Sequence, residues 1–227
     1  MTYNSEMSKI LSQQYVSVCT KPFKDIEDEN FKKALFENVN SEANLCDIYI
    51  DYDFIEKTLK QLSSKLGPGP DGVPPHCLKY GGLFIINAVA EIARDSIDMG
   101  YIPDILKPVW VTPIWKGVDR EETANYRPIS IINHVLKVIE RIVRQQIADF
   151  LSHNQRLSED QHGARSGRST VTQLLDKHHF VLDIQLEGKN VDCIYLDFAK
   201  AYDLVDLSVL LMKIKQMGIQ GNLLKWI

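Results

Sequence analysis

The sequence contains no long apolar run, no Cys-x-x-Cys and no internal repeat. Without an apolar stretch of about 20 residues it has no candidate membrane helix, and its polar start lacks the apolar core of a signal peptide. We therefore expect an intracellular protein. A disulfide framework or a zinc ribbon is not indicated either, so reduced and buried thiols are expected. The cysteines are Cys19, Cys46, Cys77 and Cys193.

Positive charge is also scarce, since the formal net charge is -4. A protein whose main role is to neutralise nucleic-acid phosphates is usually basic. The acidity is concentrated near the N-terminus: residues 1–60 contain 7 Lys and Arg against 11 Asp and Glu, whereas residues 107–168 contain 10 against 7. Because this region is weakly basic, the net charge does not exclude nucleic-acid binding. Mixed charges of this kind, however, most often mark a solvated helix face.

The composition, with 44% hydrophobic and 25% charged residues, is ordinary for a globular protein, and the apolar periodicity predicts a helix-rich α+β fold. Asp51 or Asp53 is placed to cap the first predicted helix, and Asp206 to cap the last. Thr170 and Gln173 have the spacing of a capping box. The predicted helices are Phe54–Leu62, Leu83–Met99, Val135–Leu151, the segment from Thr170 to a closing Gly188, and the segment from Leu207 to a closing Gly218.

Two segments are predicted to be strands. Val109–Trp115 is apolar but contains Pro113, which places it at a sheet edge or at a bulge. Val191–Phe198 is predicted to be a strand buried on at least one face, with Asp197 near its C-terminal end. Asp192 would face the opposite side of that strand, so it is excluded as a partner of Asp197.

Prolines and glycines alternate in Gly67–Pro75, which excludes a helix or a central strand there. The segment is either a linker that follows an N-terminal helical part or a structured loop. The turn-forming pair Asp71–Gly72, and the apolar residues that resume directly after it, favour the structured loop.

Asp197 is the strongest candidate for chemistry, because metal-assisted phosphoryl transfer places Mg²⁺ ligands at the C-terminal ends of strands. Such sites require several converging oxygens, and the sequence offers this one convincing carboxylate. Taken alone, Asp197 is more simply explained as a solvent-facing strand end. The histidines lack metal-ligand spacing and are expected in packing or surface positions.

Several short motifs occur in order along nearly the whole chain. They are Leu11–Val18 followed by Thr20-Lys21-Pro22, then Gly69–Pro74, then Pro113–Gly117 with Asn125–Ser130, then Gln161–Thr170, and then Leu196–Asp203. Together they resemble the reverse transcriptase of non-LTR, LINE-type retrotransposons, especially the jockey and CR1-like groups. The order and spacing are much harder to obtain by chance than any single motif.

The resemblance implies the helix-rich fingers and a partial palm of a right-hand polymerase, the N-terminal portion of that enzyme. It implies an N-terminal extension over residues 1–60, a fingers region over 61–190 and the start of the palm over 191–227. The implied reaction is RNA-directed DNA synthesis, in which deoxynucleotides are added to a primer 3′ end during retrotransposition. The implied partners are an RNA template, a DNA primer and deoxynucleoside triphosphates, with no membrane involved.

Carried over by position, the resemblance makes Asp197 the first palm carboxylate, which binds both catalytic Mg²⁺ ions, with the backbone carbonyl of Phe198 as a further ligand. Hard oxygen ligands of this kind suit Mg²⁺. Tyr202 would lie beneath the incoming sugar and exclude a ribose 2′-hydroxyl.

By the same resemblance, Lys116 and Arg127 would bind the triphosphate of the incoming nucleotide, where charge develops during phosphoryl transfer. Arg165 and Arg168, in a Gly-rich loop before a helix, would contact the template or primer backbone. Without the resemblance, all four would be interpreted as solvated charges near turns or in a flexible connection. Ala164 stands where the family usually has an aromatic residue, which would weaken a packing or template-stacking contact.

By the resemblance, the family's Tyr-x-Asp-Asp hairpin, which brings the remaining metal carboxylates, and the thumb would lie beyond Ile227, and we expect no endonuclease before residue 1. We therefore expect the isolated chain to be inactive as a polymerase, and its parent protein to act in nucleus and cytoplasm. The alternative is a non-catalytic remnant or a coopted RNA-binding module that uses the basic region 107–168. In a third interpretation the chain is unstable alone, because a palm strand without neighbours exposes an apolar edge.

Overall fold

The computed structural model describes residues 3–19, 43–117, 119–198 and 201–227. The helices are α1 (Tyr3–Cys19), α2 (Tyr52–Lys60), α3 (Pro75–Tyr80), α4 (Gly82–Met99), α5 (His134–His153), α6 (Thr170–Leu186), α7 (Leu207–Gln216) and α8 (Gly221–Trp226). The strands are β1 (Trp110–Trp115) and β2 (Tyr126–Ile131), and short 3₁₀ turns cover Asp104–Leu106 and Thr123–Asn125. A helix-rich α+β protein is therefore confirmed. Thr20-Lys21-Pro22 and positions 199–200 of the last motif lie outside the described residues.

The chain divides into two compact units, Met1–Ile147 with Tyr202–Ile227, and Ala148–Ala201. In the first unit α2 and α8 both pack against α4. The indole N–H of Trp226 in α8 donates to the hydroxyl of Ser96 in α4 at 2.9 Å, so this interface also satisfies buried polar groups. The apolar core side chains at these contacts are Ile55, Leu59, Val89, Ala90, Ala93 and Leu223.

The helix ends follow the capping chemistry that the sequence predicts. Asp51, and not Asp53, caps α2: its carboxylate accepts from the backbone N–H groups of Asp53 and Phe54 at 2.9 and 3.3 Å. Asp206 caps α7 in the same way, as expected. The box at the start of α6 lies one residue earlier than predicted, because Ser169 and Thr172 form it in place of Thr170 and Gln173.

Gly67–Pro75 is a structured loop, as its turn chemistry predicts, and two polar side chains from the start of α5 hold it. Asn133 accepts from the backbone N–H of Asp71 at 3.0 Å and donates to the carbonyl of Ile105 at 3.1 Å. The Nε2 of His134 donates to the carbonyl of Gly67 at 2.9 Å. Both side chains are buried, so each bond satisfies groups that are removed from water.

The predicted strand Val191–Phe198 is wrong. The whole segment lacks regular secondary structure, and its large apolar side chains from Ile194 to Phe198 are exposed, including Leu196 at 90%. A strand requires a neighbour for its backbone hydrogen bonds, and none of the described segments pairs with this one. The apolar face predicted for α6 is likewise not buried, since Leu174, Leu175 and Leu182 are exposed.

The described cysteines and helices test two predictions made from the sequence. Cys46, Cys77 and Cys193 are free, as expected, but they are exposed, so the prediction of buried thiols is wrong for these positions. None of the described helices is long and apolar enough to cross a membrane.

Candidate nucleotide and nucleic-acid site

The hairpin formed by β1 and β2 presents two of the predicted site residues on one face. The strands pair antiparallel, with Ile114 opposite Arg127 and Trp115 opposite Tyr126. The ladder continues one step further, because the backbone N–H of Lys116 donates to the carbonyl of Asn125 at 2.7 Å. Since side chains alternate between the faces of a strand, Lys116, Ile114 and Arg127 share one face. Lys116 and Arg127 are diagonal neighbours, a separation that long side chains span.

Two prolines face each other in this hairpin, Pro113 in β1 and Pro128 in β2. Opposite residues of an antiparallel pair alternate between hydrogen-bonded and non-hydrogen-bonded positions. Counting from the bonded pair of Lys116 and Asn125, the prolines fall at a non-bonded position, where neither needs an N–H. The motif therefore specifies the register, and the prediction that the proline-containing strand lies at a sheet edge is confirmed.

The turn that joins the strands is organised by Asn125 and Tyr126. Asn125 donates from Nδ2 to the carbonyl of Asp119 at 2.9 Å, and the hydroxyl of Tyr126 donates to the carbonyl of Arg120 at 3.0 Å. A Cβ added to Gly117 would lie 2.9 Å from the Asn125 side chain, so this glycine permits the close approach. These contacts explain why Gly117 and Asn125 belong to the same motif as the two cations.

The N-terminal helix α1 contacts the 3₁₀ turn Thr123–Asn125 that leads into β2. Partial burial, and secondly the neighbouring Tyr126, raise the pKa of the Tyr15 phenol in this helix. Tyr126 lies on the opposite face of the hairpin from Lys116 and Arg127. Lys116, Arg127 and Ile114 are all exposed, although β1 is exposed on its other face as well.

In the second unit, Arg165 and Arg168 converge on one carboxylate. The Nη2 of Arg165 donates to Oε1 of Glu159 at 2.9 Å, and the Nη2 of Arg168 donates to Oε2 at 2.6 Å. The hydrogen bond from Arg165 is the main reason that the pKa of the Glu159 carboxyl lies below its ordinary value. Both arginines are thus engaged with an acid that the sequence analysis did not single out.

A second set of contacts joins this loop to the start of α6. The ring of His162 is buried, with Nδ1 2.9 Å from the hydroxyl of Thr172 and Nε2 3.3 Å from Asp176. Asp176 also lies 3.7 Å from the Nη1 of Arg168. Of the two alternatives expected for the histidines, packing or surface, His162 takes the packing position, and it contacts the capping residue Thr172.

Asp197, Phe198 and Tyr202 are all exposed. Among the residues that the structure describes, no group of three or more His, Cys, Asp or Glu side chains is placed to hold a metal ion. Two Mg²⁺ ions require several oxygens within about 2.1 Å of each metal. The described residues therefore do not fit a two-metal site, and no reaction step is derived through one.

Residues 116–227 match the family described as reverse transcriptase (RNA-dependent DNA polymerase). This part of the chain is therefore similar to reverse transcriptases. The match begins at Lys116 and includes every candidate site residue named above.

Curated relatives from Drosophila melanogaster support the same conclusion. The chain is 29% identical over 166 residues to the probable RNA-directed DNA polymerase from transposon BS, and 28% identical over 163 residues to that from transposon X-element. It is 24% identical over 164 residues to the RNA-directed DNA polymerase from mobile element jockey. These alignments cover 71–72% of the chain but 18% of each relative. The resemblance to retrotransposon reverse transcriptases is confirmed for a segment of such an enzyme.

The site residues predicted from the sequence do not include Asn133, His134 or Glu159. An Asn-His pair directly before a predicted helix is a signal for capping or loop contacts. Glu159 has no such sequence signal, because its two arginine partners are brought to it by the conformation of the loop. That conformation includes a positive φ of 57° at Ala164 and of 74° at Gly167.

Proposed function

We propose that the chain is the fingers region and the start of the palm of an RNA-directed DNA polymerase, and that Lys116 and Arg127 bind the triphosphate of the incoming deoxynucleotide. The observation that carries this proposal is the hairpin face that these two cations share. Both are exposed, and neither side chain forms an ion pair with another described residue. The family match over 116–227 supports the reaction class.

Two exposed cations on one face of a hairpin suit a triphosphate. Phosphoryl transfer is accelerated mainly by positioning and by cations placed where negative charge develops. Two cations at diagonal positions can contact different phosphate groups of one nucleotide. The paired prolines and the turn contacts of Asn125 set the strand register, so the spacing of the two cations is fixed before the nucleotide arrives.

Within this proposal the remaining assignments follow the order of the motifs. Residues 1–60 are an N-terminal extension, 61–190 the fingers and 191–227 the start of the palm. Arg165 and Arg168 contact the backbone of the RNA template or the DNA primer, and Tyr202 lies against the sugar of the incoming nucleotide. The setting is intracellular, as for a retrotransposon enzyme.

The chain is proposed to supply only part of a Mg²⁺ site. Asp197, with the carbonyl of Phe198, supplies part of a Mg²⁺ site, and further carboxylates are needed to complete it. A single exposed carboxylate cannot hold two ions in a fixed arrangement. The 227-residue chain by itself therefore binds substrates without catalysing their joining.

Binding of a fluorescent deoxynucleoside triphosphate to the chain tests the proposed role of the hairpin. Lys116→Ala combined with Arg127→Ala should weaken binding about a hundredfold or more, because each of the two charge-assisted contacts contributes roughly 1.5–3 kcal/mol. Lys213→Ala combined with Lys215→Ala, which removes the same charge from exposed positions of α7, should leave affinity within about twofold. Equal losses in the two double variants would show that only net charge matters and would refute the assigned site.

A further inference from the structure

The carboxylate of Glu159 occupies the place that a phosphate would take between Arg165 and Arg168. Each arginine donates to a different oxygen of this one carboxylate, at 2.9 and 2.6 Å. Two guanidinium groups arranged on two oxygens of one anion are also the geometry with which arginines bind a phosphodiester. The loop thus contains a two-arginine anion site that holds an anion from the same chain.

The burial of these side chains shows from which side an anion reaches the arginines. Arg165 and Arg168 are 13% and 27% exposed, whereas Glu159 is 71% exposed. The carboxylate therefore lies on the solvent side of two largely covered guanidinium groups. Any external anion that binds both arginines must displace it.

The arginines have other partners that would keep them in place without Glu159. Arg165 also donates from Nη1 to the carbonyl of Ser158 at 2.8 Å. The Nη1 of Arg168 lies 3.7 Å from Asp176, which belongs to α6. Removing the charge of Glu159 therefore frees the outer side of both guanidinium groups and leaves these inner contacts intact.

We propose that Arg165 and Arg168 form a binding site for a backbone phosphate of the template–primer, and that Glu159 is a tethered competitor that must leave before the phosphate binds. This inference rests on the proposed function, because that function supplies the nucleic-acid partner. The Glu159 carboxylate is mostly exposed, so a rotation of its side chain is enough to exchange one anion for the other. A small anion would make few contacts with the two arginines beyond those that the Glu159 carboxylate already makes. Small anions are therefore poor ligands for this site.

The test is the affinity of the full chain for a labelled RNA–DNA hybrid, measured by fluorescence anisotropy. Glu159→Gln, which keeps the shape and removes the charge, should raise affinity between about twofold and tenfold, the equivalent of two exposed ion pairs. Glu187→Gln is the matched control, because Glu187 is an exposed acid of the same unit that pairs with Lys189 at 2.6 Å. This control removes the same charge and should leave affinity unchanged.

Further variants separate the possible outcomes. Arg165→Ala with Arg168→Ala should abolish the gain produced by Glu159→Gln, and thermal unfolding identifies any variant that fails to fold. Affinity that is unchanged, or lower, in Glu159→Gln would overturn the proposal, because Glu159 would then be a structural or positioning partner. Inorganic phosphate that competes with the hybrid more strongly than chloride at equal ionic strength would also overturn it, by showing a site for small anions. If wild type and all variants fail to bind the hybrid, the proposed function itself fails, which is distinct from binding that is insensitive to position 159.

Discussion

Gly100 is required for two separate reasons, its backbone conformation and the space around its Cα. It ends α4 with a φ of 63°, in the left-handed region that favours glycine. A Cβ at this position would lie 2.9 Å from the carbonyl oxygen of Asn222 in α8. The same residue therefore ends one helix and permits the close approach of another.

Three glycine substitutions separate these two effects. Gly100→Ala should destabilise the chain by about 2–4 kcal/mol, from backbone strain together with the collision with α8. Gly72→Ala, with a φ of 72° and open space around it, should cost about 1–2 kcal/mol from strain alone. Gly67→Ala has neither problem and should be within about 0.5 kcal/mol of wild type. Urea unfolding measures all three, and equal losses for Gly100→Ala and Gly72→Ala would show that α8 does not pack at Gly100.

At the scale of secondary-structure elements, local chemistry made five of the eight described helices predictable, and α1, α3 and α8 were not predicted. The extents of α4, α5 and α7 follow from apolar periodicity and from caps such as Asp206, because these signals come from residues close in sequence. The state of Val191–Phe198 could not be predicted in this way. Its alternating and apolar residues favour a strand, but a strand forms only with a partner, and pairing is a property of distant segments.

The start of α6 offers a direct test of which residue caps it. Ser169→Ala removes the hydroxyl that accepts from the backbone N–H of Thr172 at 3.2 Å and should destabilise the helix by about 1 kcal/mol. Thr170→Ala removes a hydroxyl that has no part in the capping box and should have little effect. Hydrogen exchange of the α6 amides reports both. Faster exchange in Thr170→Ala than in Ser169→Ala would support the capping box predicted from the sequence over the one observed.

At the scale of the whole molecule, the candidate site was only partly predictable. Lys116 and Arg127 were predicted from one motif, and the hairpin register places both on one face. Arg165 and Arg168 share the partner Glu159, which was not foreseen, and the predicted roles of all four cations stay predictions. In the proposed function, the chain carries substrate-binding groups of a polymerase together with one carboxylate of its chemical centre.

Primer extension by the 227-residue chain, with an RNA template, a DNA primer, deoxynucleoside triphosphates and Mg²⁺, tests this account most directly. We predict that the chain retains the labelled primer–template on a native gel and adds no nucleotide to it, in wild type and in Asp197→Asn alike. Nucleotide incorporation by wild type that is abolished in Asp197→Asn would contradict the account, because it would show that the described residues already complete the metal site.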